Sequence, residues 1–113
     1  MKYMLLICGD ESVEPTAEEI SAMQRETEAW VTELDGCGVR LDGDRLRPAS
    51  DATTVRVRGD ETLVTDGPFA ETKEQIAGYD VIECTDLDEA IGVAARHPVA
   101  RFGTIEVRPF WGQ

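Results

Sequence analysis

The run Tyr3–Cys8 constrains this chain more than any other segment, because it is apolar on both of its alternating faces. Side chains alternate across a strand, so Tyr3, Leu5 and Ile7 point one way and Met4, Leu6 and Cys8 the other. A strand of this kind needs a cover on each side. Helices of the same chain can supply one cover, and a second subunit the other. The run falls short of the roughly 20 apolar residues of a membrane span. No small-residue cleavage site follows it, as one would after a secretory leader.

The rest of the chain supplies candidates for the first cover. Thr16-Ala17-Glu18-Glu19 has the spacing of a capping box, with Thr16 as N-cap and Glu19 at the third helical position. Ile20, Met23, Thr27, Trp30, Val31 and Leu34 then recur at helical spacing, and Gly36 is the natural stop. A second helix is expected over Asp86–Arg96, capped by Asp86, with Leu87, Ala90, Ile91 and Ala94 inward. His97-Pro98 ends it, because proline disfavours helix at the residue before it.

Between the helices lie strands. Gly38–Asp51 is turn-rich, with a short strand expected near Leu46. Thr53–Arg58 and Glu61–Thr65 flank a Gly59-Asp60 turn and form a hairpin. Gly78–Cys84 and Thr104–Phe110 complete the set, with Ile105 and Val107 facing the core. Reduced to its core, the order is the βαββαβ of a ferredoxin-like α+β fold: an antiparallel sheet with helices on one face.

Charge excludes some partners. With 23 acidic against 11 basic residues and a net charge of -12, the chain lacks the clustered cations that phosphate backbones demand. No nucleic-acid partner is expected, and an anionic membrane surface is disfavoured for the same reason. Cys8, Cys37 and Cys84 are scattered, with no paired spacing. They read as reduced, mostly buried thiols of a cytoplasmic protein, and no metal site or cofactor is expected. No phosphate-cradling glycine loop or activated nucleophile motif is present.

Two stretches stand out: Asp66-Gly67-Pro68-Phe69 with the charged Glu71-Thr72-Lys73-Glu74 after it, and the single histidine, His97. The string DGPFAETKEQIAGYDVIE, followed by an acidic helix and ARHP, resembles the DGPF or YCII-related domain family. The opening MKYMLLICGDE and the closing GTIEVRPF match it too, so the resemblance spans residues 1–113 as one domain. Ala77-Gly78 replaces a glycine pair that such proteins often carry.

The resemblance implies a ferredoxin-like fold that pairs through its sheets into a dimeric α/β barrel, hence a homodimer. It implies a His–Asp pair in a cleft. In some members it implies cofactor-free isomerase, lyase or dehydrochlorinase chemistry on small unsaturated rings. Others are associated with extracytoplasmic-type sigma factors. Carried onto this sequence, the pair is Asp66 with His97.

Each of these residues also has a plain structural reading. Asp66 suits a turn, where its carboxylate bonds backbone N–H groups two residues on, while Pro68 pushes Gly67 extended. His97 closes a helix whose dipole favours the imidazolium. Arg56, Arg58 and Arg108 alternate onto polar strand faces, either solvated or, with Glu71 and Lys73, lining a cleft for an anionic ligand. Two functions therefore stand side by side. One is a small-molecule isomerase or lyase using His97 and Asp66. The other is a non-catalytic ligand-binding or regulatory module.

Overall fold

A computed structural model describes Met1–Gln113. The doubly apolar run lies within β1 (Lys2–Gly9), at the interior of a four-stranded antiparallel sheet. The other strands are β2 (Arg40–Arg45), β5 (Gln75–Glu83) and β6 (Thr104–Pro109), in the order β2-β5-β1-β6. β3 (Thr53–Arg58) and β4 (Glu61–Asp66) pair only with each other. Helices α1 (Ala17–Gly36) and α2 (Leu87–Ala95) complete the ferredoxin-like α+β arrangement. None of the helices is long and apolar enough to cross a membrane.

Register explains which face is covered. Tyr3, Leu5 and Ile7 of β1 and Ile82 of β5 share the face on which the helices pack, and these four are buried, as is Cys84 just beyond β5. Trp30 and Leu34 of α1 and Ala90, Val93 and Ala94 of α2 close the core from above. Leu5, Leu34 and Ile82 are the largest fully buried side chains, and each contributes about 1.5–3 kcal/mol of transfer free energy. The opposite face carries Met4, Leu6, Cys8, Tyr79 and Val81, half-buried and without a helix over them.

The helix starts follow from their caps. Thr16 Oγ1 accepts from the Glu19 N–H at 3.1 Å, and the Glu19 carboxylate accepts from the Thr16 N–H at 3.0 Å. Asp86 accepts from the Glu89 N–H at 2.9 Å. The end of α1 differs from expectation: Gly36 is still helical, and Gly38 takes the left-handed turn at φ +74. On α2 the inward face is Ala90, Val93 and Ala94, with Leu87 and Ile91 about half exposed. Val93, which was not expected on the inward face, is buried there, and Ile91, which was, is not. Cys37 is exposed rather than buried.

The remaining differences lie between Gly38 and Pro68. The strand that joins the sheet is Arg40–Arg45, ending one residue before Leu46. The hairpin turns at Gly59, whose φ of +62 is the value a type II′ turn asks of its first central residue. At the far end Gly67 has φ +95, so it is not extended before Pro68. The Asp66 carboxylate makes no hydrogen bond to the turn, and Pro68, two residues on, has no N–H to offer. Backbone bonding fixes the turn instead: the Gly67 N–H donates to Ala52 O at 2.7 Å, and Thr54 Oγ1 donates to Gly67 O at 2.8 Å.

Candidate functional site

His97 stands where α2 stops. Its backbone is extended at φ -69 and ψ 132, as a residue before proline must be. The ring turns back over the short 3₁₀ turn Pro98–Arg101, and Nδ1 accepts from the Val99 N–H at 3.1 Å. Trp30 meets it edge to face, with ring centroids 4.7 Å apart. That indole is itself fixed, donating Nε1–H to Val93 O at 3.0 Å. His97 as a whole is only 5% exposed.

Burial pushes the His97 pKa down to about 4. The helix dipole favours the cation, yet the desolvation cost of a buried charge prevails here. The ring is therefore neutral at neutral pH. Because Nδ1 is an acceptor, the proton resides on Nε2. No buried side-chain nitrogen or oxygen lacks a partner, and Nε2 makes no hydrogen bond, so Nε2 reaches open space.

That space is a cleft of about 820 Å³ between α1 and the sheet. The apolar stripe of α1 divides in two. Leu34 belongs to the core, Trp30 serves both core and cleft, and Ile20, Met23 and Thr27 overhang the cleft. The loop between β1 and α1 forms the rim.

Asp80 lines the same cleft. It occupies an inward position of β5, two residues before Ile82, and is only 6% exposed. Oδ1 accepts from Arg40 Nε at 2.8 Å. Arg40 also donates to Gly43 O at 2.9 Å and to the Asp35 carboxylate at 3.3 Å, which ties β2 to β5 and to the end of α1. Burial raises the Asp80 pKa, and the Arg40 guanidinium only partly offsets it. Oδ2 has no partner and, by the same reasoning as for Nε2, is open to the cleft.

Gly43 lies opposite Asp80 in the β2–β5 register. A Cβ at Gly43 would collide with Asp80 Oδ1, and would lie 2.7 Å from Arg40 Nη2 and 2.8 Å from Tyr79 O. Glycine is the residue that lets this ion pair cross the strand.

The expected site residues are dispersed. Asp66 is exposed at the end of the hairpin, joined to His97 by no hydrogen bond or ion pair, and it does not line the cleft. Arg56 and Arg58 are also on the hairpin, away from the cleft wall, where Arg58 donates to Val57 O. Arg108 pairs with Glu106 on β6. Glu71 and Lys73 border a separate open depression of about 420 Å³ with Asp10 and Ser12. Glu74 accepts from Thr104 Oγ1 at 2.8 Å. Asp80 and Arg40 are absent from the sequence expectations, although one signal for Asp80 was available. An acidic residue interrupts the inward alternation of Ile82 and Cys84.

Comparison with known proteins gives one consistent result. The profile of the YCII-related domain matches residues 1–112. An uncharacterized protein of Rhizobium meliloti (strain 1021) is 40% identical over 113 residues, covering 96% of this chain and 91% of that protein.

Proposed function

The chain belongs to the YCII-related family, and on that premise we propose that it acts on a small molecule by cofactor-free proton transfer in the cleft between α1 and the sheet. One observation carries this reading. Two nearly buried polar side chains, Asp80 and His97, line a single cleft, each with one unpartnered atom open to it.

The two atoms have complementary chemistry. Asp80 Oδ2 is a carboxylate oxygen whose raised pKa makes it a better base than a solvated aspartate. His97 Nε2–H is a neutral donor suited to a carbonyl oxygen that gains charge. Asp80 takes a proton from the carbon next to the carbonyl. The C–H electron pair moves into the conjugated system, and His97 holds the resulting enolate oxygen. Return of the proton at another carbon isomerises the substrate. Loss of a leaving group instead gives an elimination. Arg40 positions the Asp80 carboxylate and touches nothing that reacts.

Asp80 thus takes the carboxylate role expected of Asp66. His97 becomes a fixed donor and not a proton shuttle, since Nδ1 is committed to Val99. A second copy is assigned to the uncovered face of Met4, Leu6, Tyr79 and Val81. Sedimentation as a monomer at micromolar concentration would contradict that assignment.

Exchange of α-angelica lactone ring protons in D2O, followed by NMR, tests the reaction. The native protein should accelerate exchange, and Asp80→Asn should abolish it. Binding of the lactone without exchange would favour the second reading, a ligand-holding module. The commitment of His97 Nδ1 to the backbone supports that alternative, because it removes one route for proton relay.

A further inference from the structure

Charge at the cleft points to a ligand class. Six carboxylates line it: Asp10, Glu11, Glu14, Glu19, Asp44 and Asp80. Only two guanidinium groups stand against them, those of Arg40 and Arg45. Arg40 is already neutralised by Asp80 and, outside the cleft, by Asp35. Two of the rim carboxylates are held in the ionised form by their neighbours. Hydrogen bonding from Ser12 lowers the Asp10 pKa, and hydrogen bonding from Thr16 lowers that of Glu19. Such bonds to neutral groups leave the charge in place, and low-dielectric walls focus it into the cleft.

An acidic rim alone would say little on a chain this acidic. The floor adds an independent observation. The Asp80 side chain is 8% exposed, its Oδ1 is occupied by Arg40, and its Oδ2 opens unpartnered into the cavity. A carboxylate oxygen that no protein group bonds, on a side chain otherwise held in place, can take an N–H from a ligand. The same cleft is lined by two aromatic residues, the nearly buried Trp30 and the exposed Phe102, which favour a cation with an apolar body.

We infer that the cleft admits small cationic molecules, amines carrying an apolar ring or chain, and turns away anionic ones. This rests on the reading of the cleft as a small-molecule site and names its substrate class. An amine bearing a carbonyl would meet Asp80 and the rim with its charge and His97 with its oxygen.

Three probes of one shape but different charge test it: benzylamine, benzyl alcohol and benzoate. Their binding to the full chain is read from the ring protons of the single histidine, at about 0.02 M and about 0.3 M salt. Benzylamine should bind about tenfold more tightly than benzoate at low salt, and the gap should narrow as salt rises. Asp80→Asn should shrink the ratio. Should that variant fail to fold around Arg40, Glu14→Gln on the exposed rim should shrink it by a smaller factor. Benzoate binding as tightly as the amine, or a ratio unmoved by these changes, overturns the charge preference alone. Failure of all three probes to shift His97 overturns the preference together with the small-molecule reading.

Discussion

The central sheet and the β3–β4 hairpin are both antiparallel, yet they are supported in opposite ways. In the sheet, β1 has a neighbour on each edge, and its Tyr3, Leu5 and Ile7 are buried under two helices. In the hairpin, Val55, Val57 and Val64 share one face and are 61%, 58% and 65% exposed. A lone two-stranded ribbon is marginal in water. This one is held at its base by the Gly67–Ala52 and Thr54–Gly67 hydrogen bonds. It also stretches the molecule: the radius of gyration is 16.0 Å, where a compact chain of this length gives about 13 Å. Strand pairing alone therefore does not make a segment part of the core. Covering does, and the proposed site lies where covering is incomplete.

Substitutions can break or sharpen that contrast. The largest effect belongs to the sheet. Leu5→Ala removes a fully buried side chain between β5 and β6 and should cost about 2–5 kcal/mol in chemical denaturation. A loss below about 1 kcal/mol would show that the sheet tolerates a cavity and is no more a core than the hairpin.

Gly43→Ala comes next. The added methyl collides with the Arg40–Asp80 pair, and separating a buried pair should cost about 3 kcal/mol. Unchanged stability, with the Arg40 signals unmoved, would mean that β2 shifts to accommodate the methyl.

Acidification probes the covered face at His97. Its folded pKa of about 4 lies below the ordinary value of 6.5, so between these limits the unfolded chain binds more protons. Stability should be complete above about pH 6.5 and should fall by about 3 kcal/mol as the pH drops to about 4. His97→Gln should flatten that part of the profile. An equal slope in native protein and variant would assign the acid sensitivity elsewhere.

The smallest effect is expected in the hairpin. Val64→Thr, on a side chain 65% exposed, should change stability by no more than about 0.5 kcal/mol. A loss above about 1 kcal/mol would mean that a second copy covers these valines in solution.

Much of this contrast is legible in the chain. The two-faced β1, the Thr16–Glu19 capping box, the Asp86 cap and the hairpin at Gly59 all follow local rules, and the structure has each of them. Long-range register is harder to read. The sequence shows that Thr53–Asp66 alternates, but not that β2 and the hairpin divide, one joining the sheet and the other leaving it. The site was less legible for the same reason. Arg40 and Asp80 meet across strands, 40 residues apart, so no local spacing announces them. His97 stood out as the single histidine, but its protonation state depends on its burial, and Trp30, distant in the chain, packs against it. Motif residues such as Asp66 draw the eye because they cluster in sequence, whereas the residues of the proposed site come from separate parts of the chain.

The molecule measures 47 × 42 × 19 Å. At 19 Å it is one sheet and one helix layer thick, so its cleft is a seam between two sheets of matter and not a chamber within a solid. A ligand of the proposed site would therefore have only a short path from solvent to the floor. On the proposed reading, exchange of ligand would be governed by encounters at the rim and by contacts on the floor.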